Sequence, residues 1–473
     1  MPRSQLRLQP RTGKLARMRR TLLRSLALAV VLLASPTHAA QTYSEQVVER
    51  TLDNGFKMLL LEDHKAPVAV VQVWYRVGSR NELPGTTGLS HMLEHMMFKG
   101  TVKNGPEEYS RVIARNGGNE NAFTSDDATT YFATLASDRI EVEVGLEADR
   151  MRNLVLSEQL FEPERKVVME ERRMRTDNNP IGFMFESLNA ATFLEHPYRQ
   201  PVIGWATDIE GWKLADLKHH YDLYYQPNNA FLVAVGDFDA QQFGDLVAAQ
   251  FGGHARGGDP PVVRAREQPP RGERRVAVER PARLPFVSLQ YQAPNLHHAD
   301  APALEMLESV LSNGKSSRLY QRLVREQRLA LDAGASYART AIDDKTFTLS
   351  GQPQPGVSAD QLEKALLAEI EALQKAPPSD DELKRARSQV EAAFVFAQDS
   401  MFYRGLLLGT YEIAGGWRQI DEFLPAMEKV TPQQVQEVAR KYLTPINRTV
   451  GVLVPLPTDD AAPLEQMPAG PMS

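Results

Sequence analysis

Gly88-Leu89-Ser90-His91-Met92-Leu93-Glu94-His95-Met96-Met97-Phe98 is the stretch on which the fold and chemistry of this chain turn. Wound as a helix, it separates into two faces. Leu89, Met92, Leu93, Met96 and Met97 recur at i, i+3, i+4, i+7 and i+8, the spacing of a stripe turned toward a core. His91, Glu94 and His95 fall on the other face, one turn apart. Two imidazoles at i and i+4 reach one metal ion, and the carboxylate between them points into the same space. The order H-x-x-E-H is the inverted form of the zinc-peptidase signature. A pair of structural histidines is the competing reading, but those usually sit on the apolar face of their helix, and neither of these does.

Composition narrows the ligands. A chain of 473 residues is long enough for two or more domains with full cores. Its 42% hydrophobic and 24% charged content is that of an ordinary soluble protein. It contains no cysteine, so thiol nucleophiles, disulfides and cysteine-held metals are excluded. Any transition metal must be held by His, Asp or Glu.

Residues 1–40 read as an export signal. Seven arginines and Lys14 with no acid precede the apolar run Leu26–Ala34, and Thr37-His38-Ala39 offers small residues at the −3 and −1 positions of a cleavage site. The run is too short to favour a membrane anchor. Removing the segment takes away eight positive charges and moves the formal charge from −6 to −14. That balance argues against nucleic acid as a partner. The expected location is the periplasm, with secretion as second choice.

Further along, Glu45–Leu52 and Phe56–Leu61 read as strands around the Asp53-Asn54-Gly55 turn, and Val68–Val77 as a buried strand. Asn119–Ala136 reads as a turn leading into a strand at Thr129–Leu135, and Ser316–Arg328 reads as a helix. A second informative helix is expected to begin near Pro163, a residue suited to the first helical position. Glu164, Val168 and Glu171 share one face of it at i, i+4 and i+7. A zinc ion held by two histidines lacks the third protein ligand that catalytic sites commonly have. A surface helix with ordinary acids accounts for the same spacing equally well.

Helix, tyrosine, Pro-x-Asn and apolar strand occur at Pro227/Asn229 and again at Pro445/Asn447, 218 residues later. The echo implies internal duplication: two homologous α+β domains, each a mostly antiparallel sheet packed with helices, with metal ligands only in the first. The expected limits are a metal-binding domain at 41–252, a Gly/Pro/Arg-rich linker at 253–280, a second domain at 281–456 and a loose tail at 457–473.

These marks together resemble the pitrilysin-type (M16) zinc metallopeptidases, and within them the shorter processing-peptidase-like group. The resemblance covers nearly all of the chain after the signal. It is carried by His91-x-x-Glu94-His95, by Glu171 following His95 by 76 residues within Glu-Arg-Lys-Val-Val-Met-Glu-Glu, and by Gly117-Gly118 with Asn121-Ala122-x-Thr124. His196-Pro197-Tyr198 and Gly236-Asp237 are weaker marks. The resemblance implies one Zn2+ per chain on His91, His95 and Glu171, Glu94 as general base, and Glu164 as a supporting carboxylate. It also implies peptide substrates that add as an extended strand along Asn121-Ala122.

One departure bears on partners. Active members carry an arginine and a tyrosine seven residues apart in the second half, and here Val324 and Leu331 stand in those places; Arg325 and Tyr337 are nearby but wrongly spaced. The expectation is a zinc-bearing subunit whose homologous partner supplies the missing pair. A non-catalytic assembly or peptide-binding subunit of the same fold is the alternative.

Overall fold

The computed structural model describes residues 42–457. The export-signal reading of 1–40 and the tail beyond 457 lie outside the described residues. The first half builds a six-stranded sheet from β1 (Val47–Thr51), β2 (Lys57–Glu62), β3 (Val68–Tyr75), β4 (Asn119–Thr124), β5 (Thr129–Ala136) and β6 (Ala230–Gly236). Their order is β1-β2-β6-β3-β5-β4. Only β2 and β6 run parallel. The second half builds a five-stranded sheet from β7 (Arg274–Pro281), β8 (Phe286–Ala293), β9 (Ala330–Tyr337), β10 (Lys345–Pro353) and β11 (Arg448–Leu456), in the order β7-β11-β8-β10-β9. There only β7 and β11 run parallel.

The second sheet therefore repeats the last five strands of the first, and each ends on the same kind of edge hairpin. The duplication extends to hydrogen bonds. Asn229 Nδ2 donates to the Tyr224 carbonyl at 2.9 Å, and Asn447 Nδ2 to the Tyr442 carbonyl at 2.8 Å. Each asparagine ties the end of a helix to the strand that follows it. The central strand β3, Val-Ala-Val-Val-Gln-Val-Trp-Tyr, is buried along nearly its whole length because helices cover both faces of its sheet.

Part of that cover is exchanged between the halves. The helix Pro180–Thr192 of the first half packs on β7 and β11 of the second, and its counterpart Met401–Ala414 packs on β3 and β6 of the first. Polar contacts lock both. Thr192 Oγ1 donates to Gln290 Oε1 at 2.7 Å, and Arg274 donates to the Ala191 and Thr192 carbonyls at 2.8 and 2.7 Å. On the other side Arg404 meets the buried Asp63 at 2.6 Å, and Gln72 Nε2 donates to the Phe402 carbonyl at 3.1 Å. The second helix approaches closely because Gly409 has no side chain: a Cβ there would lie 2.1 Å from the Trp74 ring.

Four sequence expectations need correction. Residues 119–124, read as a turn, form strand β4; their Asn-Glu-Asn start has weak strand character, and pairing with β5 supplies what local preference does not. Residues 274–281, placed mostly in the linker, form β7, whose charged residues masked an alternation around Val276 and Val278. The second metal-motif helix begins at Glu158 with Ser157 as its N-cap, so Pro163 is internal. The ring costs only the bond to the carbonyl of Gln159, an exposed residue in the first turn. The helix expected over 316–328 is instead a short π-helical turn at Tyr320–Glu326, closed by Arg328 at φ +54°.

Filling the Gly409 contact tests the exchange. Gly409→Ala is expected to lower unfolding stability by about 1–3 kcal/mol through overpacking against Trp74, read by urea denaturation.

Candidate metal centre

The helix carrying the histidines, α1, spans Leu89–Met96. Its start is fixed from below. Gly88 adopts φ +87°, and a Cβ there would lie 2.5 Å from the Ile203 carbonyl oxygen, so a larger residue does not fit. The buried Glu82 carboxylate then accepts the N–H groups of Gly88 and Ser90, both at 2.6 Å, at the positive end of the helix. Burial raises the Glu82 pKa to about 7 in spite of those bonds. Leu89, Met92, Leu93, Met96 and Met97 all enter the core, as their spacing requires.

The helix carrying the glutamates, α2, spans Glu158–Arg172 and packs on α1. Val168 is buried in the shared core, with Glu164 and Glu171 one turn to either side. Glu171 Oε2 lies 3.2 Å from His95 Nε2 and 3.7 Å from His91 Nε2. Ligand atoms of His91, His95 and Glu171 lie within 4.8 Å of one another.

These separations suit a cation. Two ligands about 2.0–2.1 Å from a tetrahedral zinc are about 3.4 Å apart. The 3.7 Å contact is too long for a hydrogen bond, and His91, only 7% exposed, has a buried Nδ1 without a hydrogen-bond partner. Burial and the neighbouring His95 push the His91 pKa down to about 4, leaving a neutral imidazole suited to coordination.

The surrounding groups hold the three candidate ligands in place. The His95 ring meets Glu164 Oε1 through Nδ1 at 2.9 Å, which directs Nε2 at Glu171. Lys99, one turn beyond His95, holds the other Glu164 oxygen at 2.6 Å. Burial opposes protonation of His95, but the Glu164 and Glu171 carboxylates outweigh it and raise its pKa to about 9. Arg175 takes the second oxygen of Glu171 at 2.8 Å. The Glu94 carboxylate accepts a hydrogen bond from the Thr124 hydroxyl at 2.6 Å, and burial raises its pKa above the usual carboxylate value.

Asn121 and Ala122 lie on β4, the last strand of its sheet, and line the same 1140 Å³ cleft as His91, Glu94, His95 and Glu171. All seven residues singled out in the sequence thus meet at one cleft or directly behind it. Val324 packs against the second core, while Leu331 and Arg325 are exposed. The Tyr337 hydroxyl donates to the Pro294 carbonyl. None of these four lines the cleft. Sequence reasoning missed the roles of Glu82, Thr124 and Arg175. It could have found Lys99, four residues after His95 in the turn that closes α1.

In the second half, Ser309, Asn313, Glu382 and Gln389 stand 218 residues after His91, His95, Glu164 and Glu171. Three of them make structural contacts. Ser309 donates to the Ala386 carbonyl between packed helices, Glu382 pairs with Arg318, and Gln389 donates to Ser316.

Residues 57–205 match the family described as Insulinase (Peptidase family M16), and residues 211–390 match the Peptidase M16 inactive domain. The chain is 33% identical over 430 residues to the zinc protease PqqE of Helicobacter pylori, covering 90% of this chain and 96% of that one. A crystal structure of a protease from Helicobacter pylori superposes with a TM-score of 0.84 at 32% identity, covering 87% of this chain and 99% of that one. The first half of the periplasmic protease PqqL from Escherichia coli shares the fold at 18% identity, with a TM-score of 0.73 and coverage of 88% and 93%. On these matches, the chain belongs to peptidase family M16.

Proposed function

We propose that this chain is a zinc-dependent endopeptidase acting on peptides or unfolded segments. The observation that carries the reading is the convergence of His91, His95 and Glu171 from two helices on one point in an open cleft. Zinc bound there would acidify a water molecule and polarise the scissile carbonyl. Glu94 takes the proton from the attacking water and hands it to the leaving amine. Thr124 occupies one Glu94 oxygen, which leaves the other for that transfer, and burial makes the carboxylate a stronger base than in water. Glu164 holds His95 in the orientation that presents Nε2 to the ion. The outer edge of β4 at Asn121-Ala122 offers backbone groups to an extended peptide, which would displace the Asn121 side chain from the Ala122 N–H, and such pairing gives affinity with little sequence preference.

Among the described residues no arginine or tyrosine of the second half lines the cleft, and Val324 and Leu331 stand at the positions in question. A homologous chain bearing the pair would complete the site. A non-catalytic assembly or peptide-binding subunit is the second reading; the same departure favours it, whereas an intact base beside three convergent ligands has no use in a scaffold. The signal-like sequence at 1–40 supports a periplasmic location for the mature chain. Among the described residues no helix is long and apolar enough to cross a membrane.

Glu94→Gln is expected to keep zinc, measured by metal analysis, and to lose about 10²–10⁴-fold in kcat. Unchanged turnover in that variant would remove the base assignment. The lone chain is expected to cleave peptides slowly, and a homologous chain with the arginine–tyrosine pair to raise the rate on the order of 10²–10³-fold. Full activity without a partner would end the two-subunit reading.

Zinc affinity is expected to depend on pH through His95. Its proton is held up to about pH 9 and must leave before the ion binds, so affinity rises with pH toward that value. Glu164→Gln removes one carboxylate that holds the proton, which flattens the dependence. It also weakens binding at high pH by about 10–100-fold through lost ring orientation, measured by chelator competition.

A further inference from the structure

His196-Pro197-Tyr198 is a sequence mark that the proposed chemistry does not use. In the structure it lies where the two halves meet. The turn joining β4 to β5, residues 125–128, faces the turn joining β9 to β10, residues 338–344. These are the corresponding hairpins of the two sheets.

Asp127, at the tip of the first turn, is nearly buried. The Tyr198 hydroxyl donates to its two oxygens at 2.9 and 3.0 Å, and the Ile342 N–H of the second turn donates to it at 3.1 Å. The Asp343 N–H in turn donates to the Tyr198 oxygen at 3.1 Å. The Asp343 carboxylate takes Arg80 Nε at 2.6 Å and faces His196 Nε2 at 3.1 Å. Lys345 reaches Asp126 at 2.5 Å. Behind the turn there is no slack, because a Cβ on Gly78 would lie 2.3 Å from the Ser125 carbonyl oxygen.

Among the described residues β4 pairs with one strand, β5. Its final residue, Thr124, is the one that touches Glu94, and the turn held by Tyr198 begins at the next residue. An edge strand that receives a peptide must stay at a fixed height beside the base while its outer hydrogen-bonding groups are given over to the peptide; here the outward Ala122 N–H donates to Asn121 Oδ1 at 2.8 Å.

We propose that Tyr198, with Asp127, His196 and Asp343, forms a positioning latch that fixes β4 for peptide addition. Through it the second half of the chain, which supplies none of the three candidate ligands, governs how substrate is received by the first. The role in substrate binding rests on the peptidase reading; the mechanical claim about β4 does not.

Two measurements on the full chain, with its partner subunit present for the kinetics, test the latch. In Tyr198→Phe, hydrogen–deuterium exchange at the β4 amides bonded to β5 is expected to quicken at least tenfold, with α1 unchanged. KM for an extended peptide is expected to rise about tenfold, with kcat within about twofold. Asp343→Asn, which keeps the backbone donor but loses the charge, is expected to shift both in the same direction by less, and it serves if the first variant folds poorly. Thr192→Val breaks a buried bond between the halves away from β4 and is expected to leave β4 exchange and KM unchanged.

Wild-type exchange rates at β4 in both latch variants overturn the proposal. A fall in kcat at constant KM does so too, as does an equal KM rise in Thr192→Val. If the unmutated chain with its partner cleaves no peptide, the peptidase reading fails, and exchange alone decides the latch.

Discussion

The constraint that organises this molecule is the burden of carboxylates gathered between α1 and α2. Glu94, Glu164 and Glu171 sit within one turn of each other's partners, partly or wholly removed from water, and burial of an uncompensated charge is costly. Protein cations offset part of it: Lys99 and His95 hold Glu164, and Arg175 holds one oxygen of Glu171. The remaining oxygen faces two imidazole nitrogens, one of them on a ring whose pKa is pushed down by burial. A proton on His95 answers one of those two contacts, at 3.2 Å, and leaves the 3.7 Å contact with His91 unpaired, whereas a divalent ion would meet all three groups at once. The dependence of this arrangement on the fold is direct, since the two helices are set by Glu82 at one end and by the shared core at Met92, Met96 and Val168.

The internal duplication shows what happens to the same scaffold without that constraint. At the corresponding positions the second half keeps the packed pair of helices but carries Ser309, Asn313, Glu382 and Gln389. Glu382 is relieved by a bidentate contact with Arg318, and its pKa falls to about 2. No unsatisfied pair of imidazoles is left facing a cleft. The fold tolerates the chemistry and does not require it.

Much of this was legible in the sequence, for reasons that differ by residue. His91, Glu94 and His95 were readable because their face and the Leu89/Met92/Met96 stripe have different periods of neighbours on one short helix. Glu171 stood out only with the family resemblance, because spacing along α2 does not distinguish a candidate ligand from a surface acid. Strand β4 was lost because Asn119, Glu120 and Asn121 have little strand preference of their own and are held by β5. Glu82 and Tyr198 were unreadable in role, since each acts on a segment brought near by tertiary folding: Gly88 and Ser90 for one, Asp127 for the other. The repeat of Pro-x-Asn revealed the duplication but not that each half lends a helix to the other's sheet.

That loan has an evolutionary corollary. Once helices 180–192 and 401–414 had traded places, neither copy of the ancestral unit retained a complete hydrophobic envelope. A gene encoding one copy alone would leave an apolar sheet face bare to solvent, and selection would have difficulty returning to it. The copy without the imidazoles therefore serves as cladding for the copy that has them, free to diverge in chemistry but not to be deleted.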